Sequence, residues 1–248
     1  MVFIKKPQSN EALDTLQRRI RYQFREPTLL IQALTHKSSV SPEDKKGLYS
    51  NERLEFLGDA VLDCLVTEKI YILYPRYSEG QLSKIKSLLV SRKIIGEIAR
   101  TIDLGTFMIM GQSEKKTGGR TRMSIVSNAL EAVLGAVYLD GGIECAREVL
   151  ELLLFDKIDK FVNDKENINY KSKILEMAQG DGFGIPTYPL ISAEGPDHAK
   201  QFIVGIDIGG IHLGKGSGSN KKEAQQNAAF NALKVYDKEM IQSRLKGE

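Results

Sequence analysis

From Asn51 to Leu62 the chain reads NERLEFLGDAVL. On a helix turning about 100° per residue, Leu54, Leu57, Val61 and Leu65 fall together at roughly 140–220° and predict a buried face. Glu52, Glu55 and Asp59 gather within about 60° of one another on the other side. The helix is expected from about Glu52 to Leu73, stopping before Pro75. Similar apolar periodicity predicts further helices from about Glu11, from Thr28 to about His36 and from Ser78. Others are expected over Ile94–Ile102, Met123–Leu139 and Ile143–Phe161. Pro27 suits the first turn of the second of these. Residues 39–50 and 110–122 are polar and contain glycine, and read as loops. Residues 11–161 thus read as all-helical.

After a charged stretch at 156–169 the period changes. Tyr170–Gly180 is helical, with Ile174, Met177 and Ala178 facing inward. Tyr188–Ala193 reads as a strand that Pro189 confines to an edge. Phe202, Val204, Ile206 and Ile208 alternate at period two, Gly209-Gly210 supplies a hairpin turn, and Ile211–Lys215 returns. Ser219 or Asn220 is the expected N-cap of a last helix, and Asn220 has Glu223 at the capping-box position. Ala224, Ala228, Ala229 and Ala232 let that helix lie close on a sheet. The expectation is an α+β chain of two domains. An all-α domain spans 11–161 behind an arm at 1–10. A linker at 162–168 leads to a small α-β-β-β-α domain at 169–238, and a tail follows at 239–248.

Composition narrows the class. Of 248 residues, 42% are hydrophobic and 27% charged, the balance of a globular protein. The net charge of +3 rules out an argument from global basicity. Cys64 and Cys145 are too few for a disulfide framework or zinc cluster, and their apolar helical settings predict buried thiols. The N-terminus lacks a signal-peptide core, and no apolar run of about 18 residues suggests a membrane span. A cytoplasmic location and no membrane partner are expected.

Three carboxylates on one helix face repel one another, and hard oxygen ligands are gathered most often for a divalent cation. A solvated acidic face is the alternative. Asn128 and Glu131, three residues apart, share a face of the helix begun at Met123. His36 stands without a second imidazole and is expected to pack or hydrogen-bond rather than ligate. Asp63, near the acidic face, reads as a solvated neighbour. In the second domain, ten Lys and Arg face nine Asp and Glu over 169–248. Three of those cations, Lys215, Lys221 and Lys222, cluster at a helix N-terminus, where backbone N–H groups already favour phosphate. The Gly-x-Gly-x-Gly run at 214–218 lacks the βαβ setting of a nucleotide site, so no nucleotide cofactor is expected.

NERLEFLGD resembles the signature of the ribonuclease III family of double-stranded-RNA endonucleases. LIQALTHKS and SNALEAVLGAVYLDGG are similar to two further segments of that family. EGPDH at 194–198 and GKGSGSNKKEAQQNAA at 214–229 resemble its double-stranded-RNA-binding domain. The resemblance implies Mg²⁺-dependent hydrolysis of duplex RNA by a metal-activated water, with Mn²⁺ able to substitute, leaving 5′-phosphate and 3′-hydroxyl ends. It implies processing of precursor rRNA and other structured transcripts. Glu55, Asp59, Asn128 and Glu131 match the metal positions, Asp59 and Glu131 the catalytic ones, and Glu52 an accessory acid. Asn128 departs from the pattern, which has Asp there, so an altered metal requirement is expected. Lys215, Lys221, Lys222, His198, Ser172, Glu176 and Gln179 match RNA-binding positions. The family dimerises through the signature helix, which makes Phe56 an interface anchor and a homodimer the expected assembly. A duplex-RNA-binding regulator that no longer cleaves is the alternative function; a decayed site is expected to have lost more than one acid.

Overall fold

The computed structural model describes residues 10–40, 48–164, 167, 169–196 and 200–246, except the side chains of Arg244 and Lys246. The arm at 1–10 and His198 therefore fall outside it, apart from Asn10. The chain forms two compact units, Met1–Asn167 and Ile168–Glu248.

The first unit is helical. Helix α1 (Asn10–Ile20) buries Leu13, Leu16 and Ile20 and ends at Arg21, whose φ is 52°. In α2 (Pro27–Ala33), the Glu26 side chain accepts from the Thr28 N–H. The helix stops short of His36 because the backbone turns to pair with Ile109: His36 N donates to Ile109 O, and Ile109 N to Leu34 O. Helix α3 (Glu52–Leu73) carries the signature sequence. Helix α4 (Glu79–Leu89) begins in a capping box between Ser78 and Gln81, and α5 (Arg92–Thr101) is capped by Ser91. The short α6 (Leu104–Phe107) follows. The polar stretch at 110–122 folds a further short helix, α7 (Gln112–Lys116), where a loop was expected. Helix α8 (Met123–Leu153) is broken at Gly142 (φ 85°), the expected stop, and α9 (Ile158–Asn163) closes the unit. Asp140, beside the break, accepts from Tyr22 Oη and from the N–H groups of Arg25 and Glu26, tying the α1–α2 connection to it.

Helices α3 and α8 form the centre of this unit and cross with their backbones almost touching. A Cβ placed on Gly58 of α3 would overlap the Glu131 carbonyl of α8. One on Gly135 of α8 would overlap the Leu54 carbonyl of α3. Neither glycine has a positive φ; each is there for want of a side chain. Glycine inside a helix costs about 1 kcal/mol against alanine, and here that cost permits an approach no other residue allows. Leu54, Val61, Leu62 and Leu65 of α3 and Ala129, Ala132, Val133 and Ala136 of α8 are buried around the crossing.

In the second unit, α10 (Tyr170–Gly180) precedes β1 (Leu190–Glu194), β2 (Gln201–Ile208) and β3 (Ile211–Gly218). Helices α11 (Lys221–Val235) and α12 (Lys238–Lys246) follow. The strands are antiparallel in the order β1-β2-β3, with Ile208 opposite Ile211 across the Gly209-Gly210 turn. Both turn glycines have positive φ, 60° and 83°, as that turn requires. Ala228, Ala229 and Ala232 of α11 close on Ile206, Ile208 and Leu213 of the sheet. Gly216 of β3 lies against the α11 backbone at Ala224, Asn227 and Ala228, again with no room for a Cβ.

Several expectations need correction. Residues 239–246 of the segment expected as a tail belong to α12, and Ile241 is buried in the second core. Cys64 is exposed and Cys145 only half-buried. Met177 is exposed, not inward-facing. Asp63 is not merely solvated: it accepts from Lys86 Nζ at 2.9 Å, joining α3 to α4. Met123–Asn163 is long and apolar enough by composition to match a membrane span, but 61% of its most apolar window is buried within the protein.

Candidate active site and nucleic-acid interface

The crossing of α3 and α8 decides which acids meet. Glu131 lies at the backbone contact with Gly58, and the charge of Asp59, the next residue of α3, reaches its carboxyl. Glu131 backs onto apolar side chains that include Leu62, Ile95 and Leu134. Burial first, then the charges of Asp59 and Glu55, push its carboxyl up to about 7, while Arg92 opposes the shift. One turn before Asp59, Glu55 is half-buried and its pKa is also raised by burial, with Glu52 adding to the shift. Opposing it is a hydrogen bond of 2.6 Å in which Asn128 Nδ2 donates to Glu55 Oε1. The Asn128 oxygen instead lies 3.3 Å from Ser127 Oγ, whose one proton it shares with Ser124 O at 3.2 Å. Glu52 lies further out, accepting from Lys37 Nζ at 3.0 Å and from Ser50 Oγ.

The fold therefore brings Glu55, Asp59, Asn128 and Glu131 to one crossing, with Glu52 at its rim. The donor set suits a hard divalent cation: carboxylates in excess of cations, one of them desolvated among like charges. As the side chains stand, no three carboxylate, imidazole or thiol groups among the described residues are close enough to enclose an ion. Asn128 presents its nitrogen to the site, where an oxygen was expected.

Beside Glu55 a cleft of ≈ 270 Å³ is lined by His36, Lys37, Glu52, Arg122 and Asn128. His36 accepts from the Ser38 N–H through Nδ1, in keeping with the hydrogen-bonding role expected of it, and burial lowers its pKa. Residue patterns alone did not point to Lys37 and Arg92 as the cations whose charges reach Glu55, since both come from other parts of the chain. Gly58 and Gly135 were missed too, although a glycine inside a strong helical pattern was a signal available to be read. Phe56 is 82% exposed, beside a second cleft of ≈ 600 Å³ lined by Leu29, Gln32, Arg53, Leu57 and Leu139.

In the second unit the first turn of α10 lies beside the second turn of α11. Asn169 Oδ1 accepts from the Ser172 N–H, capping α10, and also from Gln226 Nε2 of α11. Lys171 N donates to Gln226 Oε1. Ser172, Glu176 and Gln179 continue along one face of α10. Lys221 and Lys222 are exposed at the start of α11, but Lys215, expected to cluster with them there, is exposed on β3 beside the later part of α11, where its carbonyl accepts from Asn231 Nδ2. Asn220 caps α11 through the Glu223 N–H, as expected, but Glu223 reaches back to Ser219 N and Oγ rather than to the Asn220 N–H.

Residues 26–158 match the ribonuclease-III-like family model, and residues 170–236 match the double-stranded RNA binding motif. The chain belongs to the ribonuclease III family. It is an endoribonuclease of that family, with double-stranded RNA as its partner. Ribonuclease 3 of Desulforamulus reducens is 42% identical over 224 residues, 90% of this chain and 91% of that one. Ribonuclease 3 of Wolinella succinogenes is 39% identical over 241 residues, covering 96% and 99%. Among solved structures, the nuclease domain of ribonuclease III from Campylobacter jejuni matches with a TM-score of 0.54 at 40% identity. It covers 63% of this chain and 99% of that one.

Proposed function

We propose that this ribonuclease III cuts duplex RNA in a Mg²⁺-dependent hydrolysis at the α3–α8 crossing, with Mn²⁺ able to substitute. The observation that carries the reading is the meeting of Glu55, Asp59 and Glu131 around a backbone contact that only glycine permits. Glu55, Asp59 and Glu131 are the residues that would hold the cation, with Glu52 accessory and Asn128 beside them. When bound, the cation supplies Lewis acidity at the scissile phosphate and at the attacking water. Water oxygen bonds to phosphorus, the bond from phosphorus to the 3′ oxygen breaks, and that oxygen leaves as a hydroxyl. The products carry 5′-phosphate and 3′-hydroxyl ends. Lys215, Lys221 and Lys222 meet backbone phosphates, while Ser172, Glu176 and Gln179 lie toward the 2′-hydroxyls of the A-form groove. Precursor rRNA and other structured transcripts, processed in the cytoplasm, are the proposed substrates. A non-cleaving regulator is disfavoured because all three carboxylates are retained.

Two strands need two hydrolytic centres, and each chain carries one acid set, so the working form is proposed as a homodimer. Phe56 and the apolar cleft beside it supply a self-complementary patch. A Campylobacter jejuni nuclease-domain structure, 43% identical with a TM-score of 0.53, is described as flexible in a region involved in dimer formation. Light scattering on Phe56→Ala is expected to show a larger monomer fraction at micromolar concentration; a variant as dimeric as its parent removes Phe56 from the interface.

The direct test of the function is a labelled RNA duplex and its single strand, each incubated with and without Mg²⁺. Staggered cuts in the duplex alone, and only with the cation, are expected. An intact duplex at saturating Mg²⁺ contradicts the reading.

A further inference from the structure

The contact between Asn128 and Glu55 has the wrong polarity for a shared cation. A carboxamide nitrogen carries two donors and no lone pair to offer a metal, and it faces Glu55 Oε1 at 2.6 Å. The reverse amide orientation would set two oxygens against each other at that distance. The carboxylate thus fixes which end of the amide it meets. At the other end, Ser127 Oγ has one proton to share between Asn128 Oδ1 at 3.3 Å and Ser124 O at 3.2 Å. The side chain is held firmly at its nitrogen end, and through it Glu55 is tied to α8 across the crossing.

We propose that Asn128 is a positioning residue: its N–H holds Glu55 in place before metal binds, doing with a hydrogen bond what a second carboxylate would leave to the cation. This rests on the metal site proposed above. An Asp at this position would oppose Glu55 at a distance where two ionised carboxylates cannot remain. The pair would separate until a dication bridged it. With Asn128, the crossing keeps its geometry without metal, at the cost of one charge for attracting metal. The chain trades cation affinity for an ordered metal-free site.

The test compares the full chain with N128D and N128A, following the thermal unfolding of the first unit with metal chelated and then with Mg²⁺ added. Without metal, N128A loses the bond, and a drop of roughly 2–4 °C is expected for one hydrogen bond in a chain of this size. N128D adds repulsion and melts lowest of the three. On adding Mg²⁺ the order of response reverses: N128D rises most and reaches half of its rise at a severalfold lower Mg²⁺ concentration than the parent. N128D melting at or above the parent without metal overturns the clamp, as does a larger Mg²⁺ rise in N128A than in N128D. No Mg²⁺ response in any of the three contradicts the metal site itself, and the metal-free order then decides the clamp alone.

Discussion

The two units solve the same packing problem in two ways. In the second, a helix lies on a sheet, and the small residues are shared: Ala224 and Ala228 of α11 meet Gly216 and Gly218 of β3, while Ala229 and Ala232 close on the apolar strand residues. In the first, two helices cross, and one glycine on each lets backbone meet backbone. An alanine stripe costs a helix nothing in propensity, whereas a mid-helix glycine does. The second device only closes a core. The first also sets where the carboxylates stand, because Gly58 adjoins Asp59 in sequence and Glu131 in space.

Breaking each contact separates the two roles. Gly58→Ala forces a Cβ into the Glu131 carbonyl, and backbone cannot yield as a flexible side chain can. The expected loss is at or above the ~1–3 kcal/mol usual for overpacking, read by denaturant unfolding, together with the loss of cleavage. Gly216→Ala meets α11 backbone in the same manner. It is expected to cost duplex binding while the melting of the first unit stays unchanged. Equal stability in Gly58→Ala would show that the crossing is not a close contact.

The comparison also explains what could be read from the sequence. The extent of α3, the change of period near 169, the glycine hairpin and the α11 alanines all follow from periodicity, which is local. Glu55, Asp59 and Glu131 could be grouped because two helical faces and a family resemblance pointed to them. The polarity of Asn128 was out of reach, since it depends on which atom of another helix it meets. Arg92 and Lys37 were missed for the same reason. The α12 helix was overlooked because Ile241 is a lone buried residue in a charged stretch. Cys64 was misread because it lies at about 120° on the α3 wheel, at the margin of the apolar face.

Electrostatics gives the next contrast: Lys221 and Lys222 stand exposed together at the start of α11, whereas carboxylates gather at the α3–α8 crossing. Lys221→Ala with Lys222→Ala is expected to weaken duplex binding alike for all sequences. The slope of log K against log salt should flatten by up to about one unit per lost contact. An unchanged slope would remove those lysines from the phosphate contacts.

A smaller effect is expected in the metal-free first unit. The Glu131 carboxyl, at about 7 when folded, lies above its ordinary value of 4.5. The folded state therefore holds its proton more tightly than the unfolded one. Stability from this group is complete below the unfolded pKa and is lost as pH rises through about 7. Glu131→Gln should remove that loss, leaving the variant more stable than its parent at pH 8 by ~1–2 kcal/mol after allowance for solvent screening. Parallel pH–stability curves for the two proteins would show that Glu131 is neither desolvated nor held among like charges as described.

The central claim is that the acids at the α3–α8 crossing perform the cleavage and the second unit does not. Asp59→Asn tests it most directly, with duplex cleavage and duplex binding measured on the same preparation at low Mg²⁺. The account predicts that cleavage is lost and binding affinity retained; cleavage at the parent's rate would contradict it.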